Sequence, residues 1–196
     1  NKLIRFETFH TALQYLSYAL AGIPYMGVGR NLSYKKSLFM KNKGFSSINH
    51  VASGDDDLFI KQVAKRGNTA VMIDKEAHTL SEPKKTWNDW MRQKFRHYTT
   101  GKFYKPIHKF LLGTYAATLV LIWPLFIAAV LLHTWWFAVS AMGLRLLIQA
   151  VILFKCMKKL NEKDLWPFFL FYDIWMCIYY LLVLPSLWKA PQKNSW

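Results

Sequence analysis

Acidic residues are scarce in this chain of 196 residues, with 11 Asp and Glu against 26 Lys and Arg and a formal net charge of +15. Cysteine is scarcer: Cys156 and Cys177 exclude a disulfide framework and are typical of a reducing compartment. An initiator methionine and a signal-peptide pattern are also lacking, which leaves a fragment of a longer chain and a natural start at Asn1 as alternatives. No signature of a nucleic-acid-binding fold accompanies the positive charge, so we expect no nucleic-acid partner.

Long apolar runs are concentrated after Lys109, which predicts a boundary near residue 104. Three segments, at about 110–132, 135–154 and 165–188, match the roughly 20 apolar residues that cross a bilayer. Buried core helices are the alternative, but three of them are too many for a small soluble core. Tryptophans at the segment ends favour spanning, because indole rings prefer the membrane interface: Trp135, Trp136, Trp166 and Trp188. We therefore predict a soluble domain over residues 1–104 and a transmembrane domain over 105–196.

Lysine placement predicts the orientation of these spans. The loop Lys155–Lys163 is rich in lysine, whereas His133 and Thr134 form a connection without Lys or Arg. The positive-inside rule then puts the lysine-rich loop, and with it residues 1–104, on the cytoplasmic side. Lys189 and Lys193 would lie on the opposite, non-cytoplasmic side of the membrane and count against this orientation. The sequence thus predicts an integral membrane protein with a cytoplasmic soluble portion, and most of the net charge faces anionic lipid headgroups.

Arg145 and Asp173 are the charged residues inside the predicted spans. A lone charge at mid-bilayer costs at least about 2.5–3.5 kcal/mol, so such residues usually face protein and pair. Both lie at similar depths in consecutive spans, which predicts that they meet. The alternative is that Arg145 reaches the headgroups and Asp173 bonds a neighbouring hydroxyl, from Tyr172 or Tyr179.

The soluble half is predicted to contain helices, one strand, and a Gly-rich strand or turn that begins at Tyr25. Helical patterns are expected over Arg5–Gly22, in a short helix closed by Gly44, over Asp55–Gly67, and from Thr86 to Gly101. Thr86 followed by Asp89 resembles a capping box. Alternating apolar residues predict a strand at Thr69–Asp74.

Three aspartates are concentrated in the stretch SGDDDLF, from Ser53 to Phe59. Capping of a helix start explains one or two of them, because acids in a first turn face the positive end of the helix dipole. Asp56 also falls on the same face as Phe59 and Ile60, which predicts an inward-facing carboxylate. General-base catalysis is one reason to place a carboxylate there, although spacing alone favours capping.

Gln93, Arg96 and His97 stand at i, i+3 and i+4 on the last soluble helix and therefore share a face. A basic helix lying on the membrane surface would explain them. An anion site would explain them equally well, because the planar fork of arginine matches phosphate oxygens. The residues themselves leave both interpretations open.

In order, the stretches GRNLSYKKSLF, GF, SGDDDLF, SEPKKTW and RQKFRH, followed by apolar spans, resemble the C-terminal part of a membrane-anchored family 2 glycosyltransferase. The resemblance covers roughly Ile23 to Tyr104 by motif. That family has a Gly- and Asn-containing strand, an acidic pair, and a Gln-x-x-Arg-Trp motif ahead of membrane helices. The resemblance implies an α/β fold, here a partial GT-A-like domain, and inverting transfer from a nucleotide-sugar donor to a lipid-linked or glycan acceptor.

The resemblance also implies roles for individual residues. Asp56 matches the catalytic base, with Asp55 beside it. Gln93 and Arg96 match the residues that bind the donor diphosphate. His97 stands at the tryptophan position of the motif, on the acceptor side, and two further residues match the strand near the acceptor pocket: Gly29 and Asn31.

The Asp-x-Asp metal motif of the family's nucleotide-binding half has no counterpart in this chain, since Asp55 and Asp57 lie in the acid run. The resemblance therefore implies a divalent ion, Mg or Mn, whose ligands come from outside this sequence. A sugar transferase is the leading hypothesis. A non-catalytic companion subunit is the alternative, and a basic membrane-surface or nucleic-acid binder is the third.

Overall fold

The computed structural model describes residues 2–51, 54–132 and 135–188. Ser53, the connection at His133 and Thr134, and the lysines Lys189 and Lys193 lie outside these residues. Seven α-helices occur in the described part: α1 Lys2–Leu20, α2 Lys36–Lys41, α3 Asp55–Val63, α4 Trp87–Thr100, α5 Pro106–Leu131, α6 Trp135–Lys159 and α7 Phe169–Val183. Short 3₁₀ turns lie between them, including Gly29–Asn31, Gly101–Phe103, Lys163–Phe168 and Leu184–Leu187.

The predicted α/β class with a partial GT-A-like domain is wrong, because the described residues contain helices and loops but no strand. Thr69–Asp74, predicted as a strand, forms a loop. A strand requires a hydrogen-bonded neighbour, and the described chain offers this stretch none. Gly29–Asn31, predicted to lie in a Gly-rich strand or turn, forms a 3₁₀ turn.

Local signals set most helix ends. Helix α1 ends as predicted before Gly22, whose φ of +85° suits glycine, and Ile23 N donates to Tyr18 O at 2.9 Å. Helix α4 begins after Thr86, whose hydroxyl accepts from Asp89 N at 3.1 Å, so the predicted N-cap is confirmed. The Asp89 carboxylate bonds the Thr86 hydroxyl, whereas in a capping box it would bond the backbone N–H of Thr86.

Helix α3 ends at Val63, four residues before the predicted end at Gly67. The Asn68 side chain explains the early end, since its amide donates to Val63 O at 2.9 Å and its oxygen accepts from Lys65 N at 2.7 Å. A side chain that replaces the helical hydrogen bonds in this way competes with helix continuation.

Three helical stretches are long and apolar enough to cross a membrane: Pro106–Leu131, Trp135–Lys159 and Lys163–Leu187. The three predicted spans are confirmed in this sense and indicate an integral membrane protein. The second helix continues past the predicted end at Phe154 as far as Lys159. Most large apolar side chains on these helices are exposed, as expected for lipid-facing surfaces.

Contacts divide the chain into two units. The first takes the described residues up to Thr11 together with those of 111–182. The second takes Ala12–Phe110 and the described residues from Val183 on.

In the first unit, Arg145 and Asp173 form a two-pronged ion pair, which confirms the predicted pairing. The guanidinium donates to the two carboxylate oxygens at 2.7 and 2.9 Å. Gln149 Nε2 and Trp123 Nε1 also donate to Asp173, at 2.8 and 3.1 Å. Asp173 is 3% exposed, so a carboxylate buried among apolar helices is surrounded by donors from α5 and α6.

The start of α1 packs onto the apolar helices of the first unit. Phe6 stacks on Tyr172 with ring centroids 4.1 Å apart. Tyr179 donates to Glu7 at 3.2 Å, and His10 Nε2 lies 2.6 Å from the Tyr115 hydroxyl. Burial lowers the pKa of His10 to about 4, so this histidine is neutral at neutral pH.

In the second unit, the core forms around α3. Leu58, Phe59 and Val63 are buried with Ile48, and partly buried side chains cover them: Leu38, Phe39, Val51, Ile60, Phe103 and Tyr104. Helix α2 closes at a turn in which Gly44 has φ +60°, close to its predicted end. This core fixes α3, and α3 carries the three aspartates.

Candidate functional site

The acid run begins helix α3 in a defined register. Gly54 precedes the helix with φ +91°, and a Cβ there would lie 2.9 Å from Thr100 Cγ2. Glycine therefore permits both the left-handed backbone and the close approach to the end of α4. Residues three and four positions on, Asp57 and Leu58, share this buried face at 3% and 2% exposure.

This register corrects one step of the sequence reasoning. Asp56 was expected to continue the inward stripe, but Asp57 is the buried aspartate, Asp56 is half-buried and Asp55 is exposed. The prediction extended the stripe backward from Phe59 and Ile60. The close contact of Gly54 with Thr100 instead selects the neighbouring face.

Asp56 is held by two backbone N–H groups. Oδ2 accepts from Gly29 N at 2.7 Å, and Oδ1 accepts from Asp57 N at 2.9 Å. The second bond satisfies a free donor of the first helical turn, as the capping interpretation expects. The first bond orients the carboxylate toward a different segment, and each oxygen keeps a further lone pair for a ligand.

Gly29, from the predicted acceptor side, contacts the acid run. A Cβ at Gly29 would lie 3.3 Å from Asp56 Oδ2, so the absence of a side chain allows the close approach. Asn31 lies at the other end of the same 3₁₀ turn and is exposed.

Asp57 is bound from the other side by Tyr104, whose hydroxyl donates to Asp57 Oδ2 at 3.0 Å. Within the described chain, Asp57 Oδ1 has no hydrogen-bond partner. Burial, then the neighbouring Asp56 carboxylate, raise the pKa of Asp57 to about 7. Burial and Asp57 also raise the pKa of Tyr104 well above its usual value.

Gln93, Arg96 and His97 lie on α4, whose Trp90 is buried at 2% exposure. Arg96 is exposed, and Gln93 and His97 are half-buried. In the described part of the chain, the side chains of Gln93 and Arg96 make no hydrogen bond or ion pair, and none joins them to the aspartates. Their amide and guanidinium donors are therefore available to a ligand. The roles that the resemblance implies for them stay predictions.

Metal ligands are not grouped in this part of the molecule. No three His, Cys, Asp or Glu side chains of the described residues are placed to hold a metal ion. The three aspartates diverge, since Asp57 faces the core, Asp56 faces Gly29 and Asp55 faces outward. The residues present thus do not fit the divalent ion that the resemblance implies.

Sequence reasoning did not identify the contact between Asp57 and Tyr104. These residues are 47 positions apart, and no motif links them. One signal in the sequence was the spacing of Gly54, Asp57 and Leu58. Residues three and four positions apart share a helix face, so this spacing places Asp57 on the same face as Gly54.

The chain was compared with known proteins. The family model described as Glycosyl transferase family group 2 matches residues 2–187. No curated protein and no solved structure matches the chain.

Proposed function

The chain belongs to glycosyl transferase family group 2, and we propose that it takes part in moving a sugar from a nucleotide-sugar donor to a lipid-linked or polysaccharide acceptor. The three apolar helices support a reaction at a membrane. Asp56 carries the proposal, because its carboxylate is half-buried and held by Gly29 N at the start of α3.

In the proposed reaction Asp56 is the general base. Its carboxylate takes the proton from the acceptor hydroxyl while that oxygen forms a bond to the anomeric carbon. The bond from the anomeric carbon to the diphosphate oxygen breaks on the opposite face, which inverts the configuration. The backbone N–H groups of Gly29 and Asp57 hold the Asp56 carboxylate in place, so the base needs no reorientation when the acceptor binds.

Gln93 and Arg96 are the donors that this chain offers to the leaving diphosphate. The guanidinium of Arg96 is exposed and presents a planar fork that fits phosphate oxygens. Developing negative charge on the leaving group is stabilised by such preorganised donors. We assign His97, one residue on, to the acceptor side together with Gly29 and Asn31.

We further propose that residues 1–104 face the cytoplasm. The support is the lysine content of the connection between α6 and the third span, where Lys158 and Lys159 occupy the last turn of α6. A nucleotide-sugar donor carries a charged diphosphate that does not cross the apolar core of a bilayer unaided, so the donor must be supplied on the side that residues 1–104 face.

The test measures sugar transfer by the full-length protein in membranes. The donors are a panel of uridine diphosphate and guanosine diphosphate sugars labelled in the sugar, and the acceptor is a lipid extract. Asp56→Asn should lower turnover by about 10²–10⁴-fold, because the amide cannot accept the proton. Donor binding, measured with the nucleoside diphosphate alone, should be retained. Asp74→Asn, the same change at an exposed aspartate, is the matched control. Transfer by Asp56→Asn at the control's rate would overturn the assignment.

A further inference from the structure

Asp57 has no part in the proposed reaction, yet it is the most buried of the three aspartates at 3% exposure. Burying a carboxylate is costly unless it is paired with a cation or carries a proton. Among the described residues, the groups that face Asp57 include no cation. They are Tyr104 and Thr100 from the segment at the end of α4, and Asp55 and Asp56 from its own helix.

The hydrogen bonds around Asp57 also fit a protonated carboxyl. Oδ2 accepts from Tyr104, while Oδ1 has no partner among the described residues. The Thr100 hydroxyl, which also faces Asp57, donates its hydrogen to the carbonyl of His97 at 2.6 Å, so its oxygen is left to accept a hydrogen bond from a protonated carboxyl. One oxygen therefore accepts a hydrogen bond and the other is free to carry the proton.

Asp57 and Asp56 are joined through the backbone. The N–H of Asp57 donates to Asp56 Oδ1 at 2.9 Å, so the position of Asp57 sets one of the two donors that hold Asp56. An ionised Asp57 would add a second negative charge next to that carboxylate and repel it. A neutral Asp57 anchored by Tyr104 avoids this repulsion.

We infer that Asp57 and Tyr104 are a positioning pair for Asp56, in which Asp57 acts as a neutral carboxylic acid that anchors the first turn of α3. The inference rests on the proposed role of Asp56 as the base. It assigns the third aspartate a purpose other than helix capping or proton transfer to substrate.

The charge state can be tested without an assay of transfer. The pKa of Asp57 is raised from 3.8 to about 7 in the folded chain, so the folded protein holds this proton more tightly than the unfolded chain. Stability from this group is full below about pH 4 and is lost as pH rises through about 7. The unfolding midpoint of the full-length protein in detergent should therefore fall over this range. Asp57→Asn should show a smaller fall, and Asp74→Asn should behave as wild type.

The positioning role is tested by the pH profile of transfer. In the wild type, turnover should decline as pH rises through about 7, where Asp57 ionises. Asp57→Asn imitates the neutral acid, so it should lose about threefold at most near neutral pH and should no longer show this decline. Tyr104→Phe removes the anchoring donor and should lower turnover by about tenfold, with unchanged binding of the nucleoside diphosphate.

The outcomes separate this inference from the proposed function. Absence of transfer by the wild type would count against the proposed function, while the unfolding comparison would still decide the charge state of Asp57. A wild type that transfers sugar, with an Asp57→Asn profile that keeps the decline, would overturn the positioning pair. Loss of turnover in Asp57→Asn as large as in Asp56→Asn would overturn it too, because Asp57 would then be needed as an ionisable group.

Discussion

At the residue scale, Arg96 distinguishes an anion site from a helix that only lies on the membrane surface. Its guanidinium is exposed and makes no side-chain hydrogen bond within the described chain. Arg96→Lys keeps the charge but removes the planar fork, so turnover should fall by about 10²–10³-fold. Membrane insertion and the unfolding midpoint should not change. Arg92→Lys, the same substitution at another exposed arginine of α4, is the control, and near-normal turnover in Arg96→Lys would support the surface helix.

Gly29 provides a second residue-scale test, because it places the amide that holds Asp56. A Cβ at Gly29 would lie 3.3 Å from Asp56 Oδ2, which is tight enough to displace the carboxylate by a few tenths of an ångström. Gly29→Ala should lower turnover by about tenfold, since small misplacements of a catalytic group are costly. Gly67→Ala is the control, because nothing lies within 4 Å of that Cβ position. Equal turnover of both variants would show that the Gly29 contact is not needed.

At the scale of elements, Thr86 tests the start of α4, the helix that carries Gln93, Arg96 and His97. The Thr86 hydroxyl accepts from Asp89 N and donates to Asp89 Oδ2 at 2.7 Å. Thr86→Ala should destabilise the protein by about 1 kcal/mol, the usual cost of a lost helix cap. Denaturant unfolding would measure it beside Thr79→Ala, an exposed threonine of the preceding loop. A matching loss in both variants would mean that the cap contributes nothing specific.

Helices were predictable where neighbouring residues determine them. The end of α1 before Gly22, the closure of α2 near Gly44 and the start of α4 after Thr86 all follow from local chemistry. The supposed strand at Thr69–Asp74 was not predictable in the same way, because alternation of apolar residues cannot reveal whether a pairing partner exists. The end of α3 was missed for a related reason, since Asn68 folds back over it.

The candidate site was predictable by composition more than by geometry. The acid run identified α3, but its register depends on the approach of Gly54 to Thr100, a contact across 46 residues of sequence. Sequence spacing along one helix cannot include such a contact. Sequence spacing therefore assigned the buried position in the first turn of α3 to Asp56. In the structure Asp57 is the buried aspartate, and Tyr104 donates a hydrogen bond to it.

At the scale of the whole molecule, the polar cluster in the apolar unit tests how the spanning helices hold together. Arg145 and Asp173 were predictable as partners because a charge among lipid-facing residues needs one. Gln149 and Trp123 were not, because an unpaired neutral donor costs less than an unpaired charge, so its presence in an apolar helix is a weaker sign that it has a partner. Asp173 thus joins α7 to both α5 and α6 through donors of three residue types.

A double-mutant cycle measures this cluster. Asp173→Leu leaves Arg145 without its carboxylate, and Arg145→Leu leaves Asp173 at 3% exposure with neutral donors alone. Each should destabilise the folded protein by about 2 kcal/mol or more, because a partly buried charge loses its partner. The double variant should cost less than the sum of the two single losses by about 1 kcal/mol, since its second substitution removes the unpaired charge.

Unfolding in mixed micelles would provide the free energies. Ser140→Ala combined with Asp173→Leu is the control. Within the described residues the Ser140 hydroxyl donates to Trp136 O of its own helix, so its loss should add to that of Asp173→Leu without coupling. Additive losses for Arg145 and Asp173 would mean that the ion pair contributes no net free energy.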